Sequence, residues 1–212
     1  DGDRVVLLGR TFEKVAKVAD ELGGEHFALS CDVGNPASVR DTFANIAEKC
    51  EKIDVLINSA ASYEPFTLAE ATDEKVVAMV NTNLTGPVLC SREALPLFRN
   101  SGKIINVSSE SVALKFAMQW LYTATKAGLE TMSSMLDREL AGSNWPIELT
   151  MRFVEENVKV GIDVRTRPLS HYKSVADIFR HVIDTPHDMH VGHVEITGDR
   201  PHLPVQEQKE SE

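Results

Sequence analysis

Ile104-Ile-Asn-Val-Ser-Ser109 and, after the connection 110–121, Tyr122-Thr-Ala-Thr-Lys126-Ala-Gly-Leu-Glu130 decide the reading of this chain. Ile104, Ile105 and Val107 form an apolar, β-branched run that predicts a buried strand. The run ends in Ser108 and Ser109, where a parallel strand delivers its side chains to the carboxyl edge of a sheet. Open α/β sheets bind their ligands at that edge. Leu121 to Leu140 has helical periodicity, and Tyr122 and Lys126 are four residues apart, so they share a helix face.

That spacing has a chemical meaning. A phenol titrates near pH 10, and a fixed ammonium beside it favours the phenolate. Such a tyrosine can give a proton to a carbonyl oxygen, or take one from an alcohol, while hydride moves at carbon. A serine hydroxyl from the neighbouring strand can hold the same oxygen in line. Taken alone, a tyrosine four residues before a lysine is an ordinary feature of an amphipathic helix. Here it follows Ser109, itself at a strand end, by thirteen residues.

Outward from this stretch, strands and helices alternate. Arg4–Leu8 predicts a strand, followed by Gly9-Arg10-Thr11 and a helix over Phe12–Leu22 that ends at Gly23-Gly24. His26–Ser30 predicts a second strand, finished by Cys31-Asp32-Val33. A helix opens at Asn35-Pro36, with proline in the first turn, and runs to Lys49. Asp54–Ile57 predicts a strand ending in Asn58-Ser59-Ala60-Ala61, and roughly Asp73–Phe98 forms one long helical region with Asn83, Leu84, Thr85 and Gly86 inside it. Beyond the central stretch, Pro146–Met151 predicts a strand, Ser174–Ile183 a helix and His193–Ile196 a final strand. No element is assigned over Arg152–Pro168. The alternation implies an α/β fold, a Rossmann-like doubly wound parallel sheet with helices on both faces.

With 212 residues, 42% of them hydrophobic, the chain can bury one sizeable core, so a single domain is expected over 1–204 with a polar tail at 205–212. A net charge of −10 argues against nucleic acid or an anionic membrane as main partner. The apolar runs are too short for a membrane span, and no cationic, apolar leader opens the sequence. Cys31, Cys50 and Cys90 lack metal-ligand spacing, so no metal site is expected and the thiols fit a reducing cytoplasm.

The set Asn83, Ser109, Tyr122 and Lys126 resembles the signature of the short-chain dehydrogenase/reductase family, and the resemblance extends from residue 4 to about residue 151. It implies that Tyr122 is the general acid/base and that Ser109 polarises the carbonyl. It further implies that Lys126 lowers the tyrosine's pKa and holds the nicotinamide ribose, while the Asn83 backbone holds a water that continues the proton relay. Asn58-Ser59-Ala60-Ala61 is similar to the family's Asn-Asn-Ala-Gly element, which lines the cofactor, with Ser59 and Ala61 as departures. Asp32 and Val33 resemble the adenine-binding pair, although helix capping or turn chemistry before Asn35-Pro36 accounts for Asp32 equally well. Where NAD-selective relatives carry an acid this chain has Gly9 followed by Arg10, whose guanidinium can pair with a 2′-phosphate. The implied cofactor is therefore NADP rather than NAD, bound by Arg10, Asp32, Val33, Asn58, Ala60, Tyr122 and Lys126.

The implied function is NADP-dependent hydride transfer between nicotinamide and a carbonyl or secondary alcohol of a small, apolar substrate. In the family the segment carrying Val112, Ala113, Leu114, Phe116, Met118 and Trp120 lines the substrate pocket; core or subunit interface are the other readings. The helices 73–98 and 121–140 resemble those through which relatives form homodimers or homotetramers. The family's glycine-rich phosphate turn and its preceding central strand are not in the sequence, and the Pro-Gly element after Met151 is absent too. The expectation is that a βα piece of roughly 30 residues is omitted, leaving two inner, apolar edges unpaired. These departures are the support for an alternative, a non-catalytic nucleotide-binding regulatory or scaffold protein of the same family. A sugar-nucleotide epimerase on the same fold is disfavoured by the chain's length.

Overall fold

A computed structural model describes residues 2–141 and the short stretches 147–148, 151–152, 179–180, 183–184 and 194–195. Strand β1 (Val6–Gly9) leads into α1 (Phe12–Leu22), β2 (Phe27–Ser30), α2 (Pro36–Lys49) and β3 (Ile53–Asn58). Helix α3 (Asp73–Val80), a π turn (Asn81–Thr85) and α4 (Gly86–Ala94) follow. Then come β4 (Phe98–Asn106), α5 (Ser111–Leu114), α6 (Trp120–Ala141) and the short strands β5 (Ile147–Glu148), β6 (Met151–Arg152) and β7 (Val194–Glu195). Among the described residues every strand pairing is parallel, and helices make the crossovers from β1 to β2, from β3 to β4 and from β4 to β5, which is the α/β architecture that the alternation predicts.

Local chemistry sets the helix ends. Gly23 at φ 67° closes α1, its N–H bonding back to the carbonyls of Ala19 and Asp20. Asn35 caps α2 by accepting from the N–H groups of Ala37 and Ser38, with Pro36 in the first turn. Thr72 caps α3 by accepting from the Lys75 N–H, and Asp73 and Glu74 add negative charge to its first turn. The core gathers Val39, Phe43 and Ile46 of α2, Leu89, Cys90 and Ala94 of α4, Phe98 and Ile104 of β4, and Cys31 after β2.

The region expected to be one long helical stretch is helical from Asp73 to Leu97, but its winding changes along the way. Pro87 has no N–H to offer the carbonyl of Asn83, and its ring crowds that oxygen. The backbone widens over Asn81–Thr85 instead, with the Gly86 N–H reaching the Asn81 carbonyl in an i→i+5 bond. Phe98 is not helical: it opens β4, after a 3₁₀ turn over Leu95–Leu97. The strand expected over 146–151 resolves into β5 beside β4 and β6 beside β7.

The strands divide into three sets, β1–β2, β3–β4–β5 and β6–β7. Among the described residues the free edges of β1 and β3 carry no strand; β1 is half-buried throughout, and β3 is half-buried with Asp54 and Ile57 exposed. Nevertheless the carboxyl ends of β2 and β3 meet: Val33, just past β2, shares a small cleft with Asn58 and Ala60 at the end of β3. The expected tail at 205–212, the unassigned 152–168 (apart from Arg152) and most of the helix predicted at 174–183 lie outside the described residues.

Candidate active site

The carboxyl end of the β3–β4 pair is built on asparagines. Asn58 Nδ2 donates to Asn106 Oδ1 at 2.8 Å and, more weakly, to Ser91 Oγ at 3.4 Å, while the Val107 N–H donates to the Asn58 carbonyl at 3.0 Å. Asn106 Nδ2 in turn donates to Ser133 Oγ on α6 at 2.9 Å. Asn106 and Ser133 are fully buried, so this polar chain ties α4, both strands and α6 together inside the protein. Sequence reasoning missed the role of Asn106; the available signal was an amide side chain inside the apolar run Ile104–Val107.

Beyond Asn106 the chain presents Ser108 and Ser109. Ser108 Oγ donates to Glu130 Oε1 of α6 at 2.6 Å. Ser109 Oγ accepts the Ser111 N–H at 3.2 Å as α5 begins. Lys126 is buried, and its Nζ donates to the Val107 carbonyl at 2.7 Å, two residues before Ser109. Burial lowers its pKa to about 8, against an ordinary 10.5. The same ammonium lies 5.9 Å from the centroid of the Tyr122 ring, over its face. The four-residue spacing read from the sequence thus brings Lys126 to Tyr122, and the Val107 bond brings both to the strand end that carries Ser109.

Asn83 is completely buried in the π turn. Its carboxamide grips the backbone of Ser62 from both sides, accepting from the N–H at 2.7 Å and donating to the carbonyl at 2.9 Å. Nδ2 also donates to Thr125 Oγ1 at 3.2 Å, and that hydroxyl donates to the Tyr122 carbonyl at 2.7 Å. Ser62 and Thr125, unnoticed in the sequence, therefore join the β3–α3 connection to the turn of α6 that bears Tyr122.

The predicted cofactor residues fall into two groups. Val33, Asn58 and Ala60 line one cleft, closed by Thr82, Gly86 and Pro87. Gly86 suits the close approach there: a Cβ would lie 3.0 Å from Val33 Cγ2 and 3.1 Å from its carbonyl oxygen, so Val33 would have to give by a few tenths of an ångström. Asp32 is exposed, and Oδ1 accepts the Gly34 N–H at 3.0 Å, so the turn chemistry weighed in the sequence is present. Arg10 is exposed immediately after β1, at that strand's carboxyl end. The connection to α6 is shaped by two left-handed residues, Lys115 at φ 53° and Met118 at φ 62°. Leu114, Phe116, Met118 and Trp120 of this connection are exposed, so they are not core. Cys31, Cys50 and Cys90 are free, and burial pushes the Cys90 thiol up to about 12.

Comparison with known proteins covers most of this chain. The family described as short chain dehydrogenase matches residues 1–152. The chain is 31% identical over 184 residues to carbonyl reductase family member 4 of Danio rerio, covering 84% of this chain and 78% of that protein. It is 33% identical over 142 residues to the 3-oxoacyl-[acyl-carrier-protein] reductase of Bos taurus, covering 66% of this chain but only 60% of the relative's length. Among solved structures, the serine dehydrogenase of Escherichia coli matches with a TM-score of 0.77 at 26% identity, over 92% of this chain and 86% of that one. A metagenomic short-chain oxidoreductase in complex with NADP matches with a TM-score of 0.75 at 25% identity, over the same shares of 92% and 86%.

Proposed function

This chain belongs to the short-chain dehydrogenase family, and we propose that it is an NADP-dependent oxidoreductase interconverting a small, apolar carbonyl compound and its alcohol. The observation that carries the reading is the bond from Lys126 Nζ to the Val107 carbonyl, which pins the helix bearing Tyr122 to the strand end bearing Ser109. When bound, the nicotinamide supplies or accepts the hydride. Tyr122 gives its phenolic proton to the carbonyl oxygen in reduction and takes it back in oxidation. Ser109 Oγ already accepts the Ser111 N–H, which leaves its own proton to donate to that same oxygen. Lys126 keeps a positive charge beside the phenol ring at neutral pH and is within a helical turn of it, suited to hold the ribose. The carbonyl of Asn83, to which Pro87 offers no N–H, is suited to hold a water that carries the proton onward.

Val33, Asn58 and Ala60 line one small cleft, which supports a shared role beside the cofactor, with exposed Arg10 just after β1 for a 2′-phosphate. The preference for NADP over NAD rests on Arg10, and it accords with the NADP held by the metagenomic relative. The exposed apolar side chains Phe116, Met118 and Trp120 support an apolar substrate. Exposed Val77 and Val88 on the 73–98 helices and Met135 on α6 support assembly into a homodimer or homotetramer, and the free thiols support a cytoplasmic setting.

The test is Tyr122→Phe, assayed for NADPH-dependent reduction of apolar ketones alongside fluorescence titrations with NADPH and NADH. Turnover is expected to fall by about a thousandfold or more, with NADPH affinity within a few-fold of the parent and NADPH preferred to NADH. Comparable turnover in the variant would sink the assignment.

A further inference from the structure

We propose that Tyr63 is a positioning residue for Tyr122, held in place by Gln119; this rests on the reading of Tyr122 as proton carrier. The two rings meet at 79° with centroids 5.0 Å apart, an edge-to-face contact that restricts how the Tyr122 ring can turn. Gln119 Nε2 donates to the Tyr63 hydroxyl at 2.9 Å, fixing the far end of the contacting ring. The segment around Tyr63 is fastened on both sides. Upstream, the Asn83 carboxamide grips Ser62. Downstream, the Phe66 N–H donates to the Met118 carbonyl at 3.1 Å, and Trp120 Nε1 donates to the Phe66 carbonyl at 3.2 Å. The Phe66 and Trp120 rings also pack edge to face at 5.8 Å, with Phe66 only 3% exposed.

Tyr63 itself remains 50% exposed, so it contributes little to the core. An aromatic ring that is half in water yet fixed at the backbone, at the hydroxyl and against Tyr122 is placed for the site rather than for stability. Proton transfer requires the phenolic oxygen within hydrogen-bond reach of the reacting oxygen, and a displacement of about 1 Å can cost roughly a hundredfold in rate. Lys126 places charge over the Tyr122 ring, whereas Tyr63 sets the plane in which that ring lies.

The experiment compares Tyr63→Leu, Tyr63→Phe and Gln119→Leu in the full chain. The half exposure of Tyr63 lets leucine be accommodated, and a thermal melt checks this. Tyr63→Leu is expected to lower kcat about 10- to 100-fold, with NADPH affinity and Tm little changed. Tyr63→Phe and Gln119→Leu each keep the ring and remove only the bond to the Tyr63 hydroxyl, so both are expected to retain more of kcat than Tyr63→Leu. In parallel, the protein is labelled with 3-fluorotyrosine, and the resonance of Tyr122 among the three tyrosines is identified by its loss in Tyr122→Phe. Its fluorine signal is expected to move and its ring to flip faster in Tyr63→Leu. If the parent turns over and Tyr63→Leu keeps kcat within twofold, the positioning role is overturned. If the parent has no turnover, the reductase reading fails. The fluorine spectrum then decides alone: a Tyr122 signal unmoved by Tyr63→Leu overturns the contact, and a shifted one upholds it.

Discussion

Lys126 is where burial and charge conflict at the level of a single residue. Its folded pKa of about 8 lies below the ordinary 10.5 because the ammonium has lost most of its water. Below pH 8 folded and unfolded chains both hold the proton, and the folded state carries the full cost of a buried cation. Between about 8 and 10.5 the unfolded chain still holds it while the folded one has let it go, so this group makes stability rise with pH across that window. A shift of this size corresponds to about 3 kcal/mol. Lys126→Met is therefore expected to remove the rise, which urea unfolding at pH 7, 8, 9 and 10 would detect as a flatter stability profile. Equal slopes in parent and variant would show that the ammonium is better solvated than its burial implies. The sequence announced Tyr122 and Lys126 by their spacing together with Ser109 at a strand end, but not this cost, because the depth of Lys126 is set by how α6 lies against β4.

At the scale of elements, the strand pair β3–β4 and its two flanking helices are joined by the amides of Asn58 and Asn106. Replacing Asn106 by leucine keeps the branched outline with bulkier methyl groups, but removes the partner of Asn58 Nδ2 and of the fully buried Ser133 Oγ. The expected loss is about 2–4 kcal/mol, read as a lower urea midpoint at unchanged slope. A loss below about 0.5 kcal/mol would mean the network adds nothing beyond surface-like bonds. Strand and helix identities here were legible because β-branched runs and capped amphipathic runs differ in period. The early start of β4 at Phe98 was not, because Leu95-Pro-Leu followed by Phe98-Arg-Asn-Ser-Gly carries neither period. The widened turn was legible in principle: Pro87 stands four residues after Asn83.

Across the whole molecule, packing is uneven. The buried cluster centres on α2, α4 and β4, whereas β1 and β2 pair over four residues and stay half-buried. The β1–β2 pair is expected to open as a separate, weaker unit. Hydrogen exchange would then show the amides of Val6–Gly9 and Phe27–Ser30 exchanging well before those of Ile104–Asn106; simultaneous exchange would establish one cooperative body instead. The division of the strands was foreseeable from the sequence as two apolar edges, but the meeting of Val33 with Asn58 and Ala60 was not, since it depends on Gly86 allowing the Val33 backbone close.

The turn over Asn81–Thr85 also acts as a phase shifter. An α-helix advances roughly 100° per residue, so one residue too many in a turn puts the stripes before and after it out of step. Here α3 lies against α6, while α4 lies against α2 and β3. One continuous helical run thus addresses two sets of neighbours that an evenly wound helix with the same residues would not serve together. A length change of one residue inside this turn would carry a different meaning from one in a surface loop. It would re-time the whole run, rotating Asn83 off the Ser62 backbone while leaving composition and hydrophobicity almost untouched.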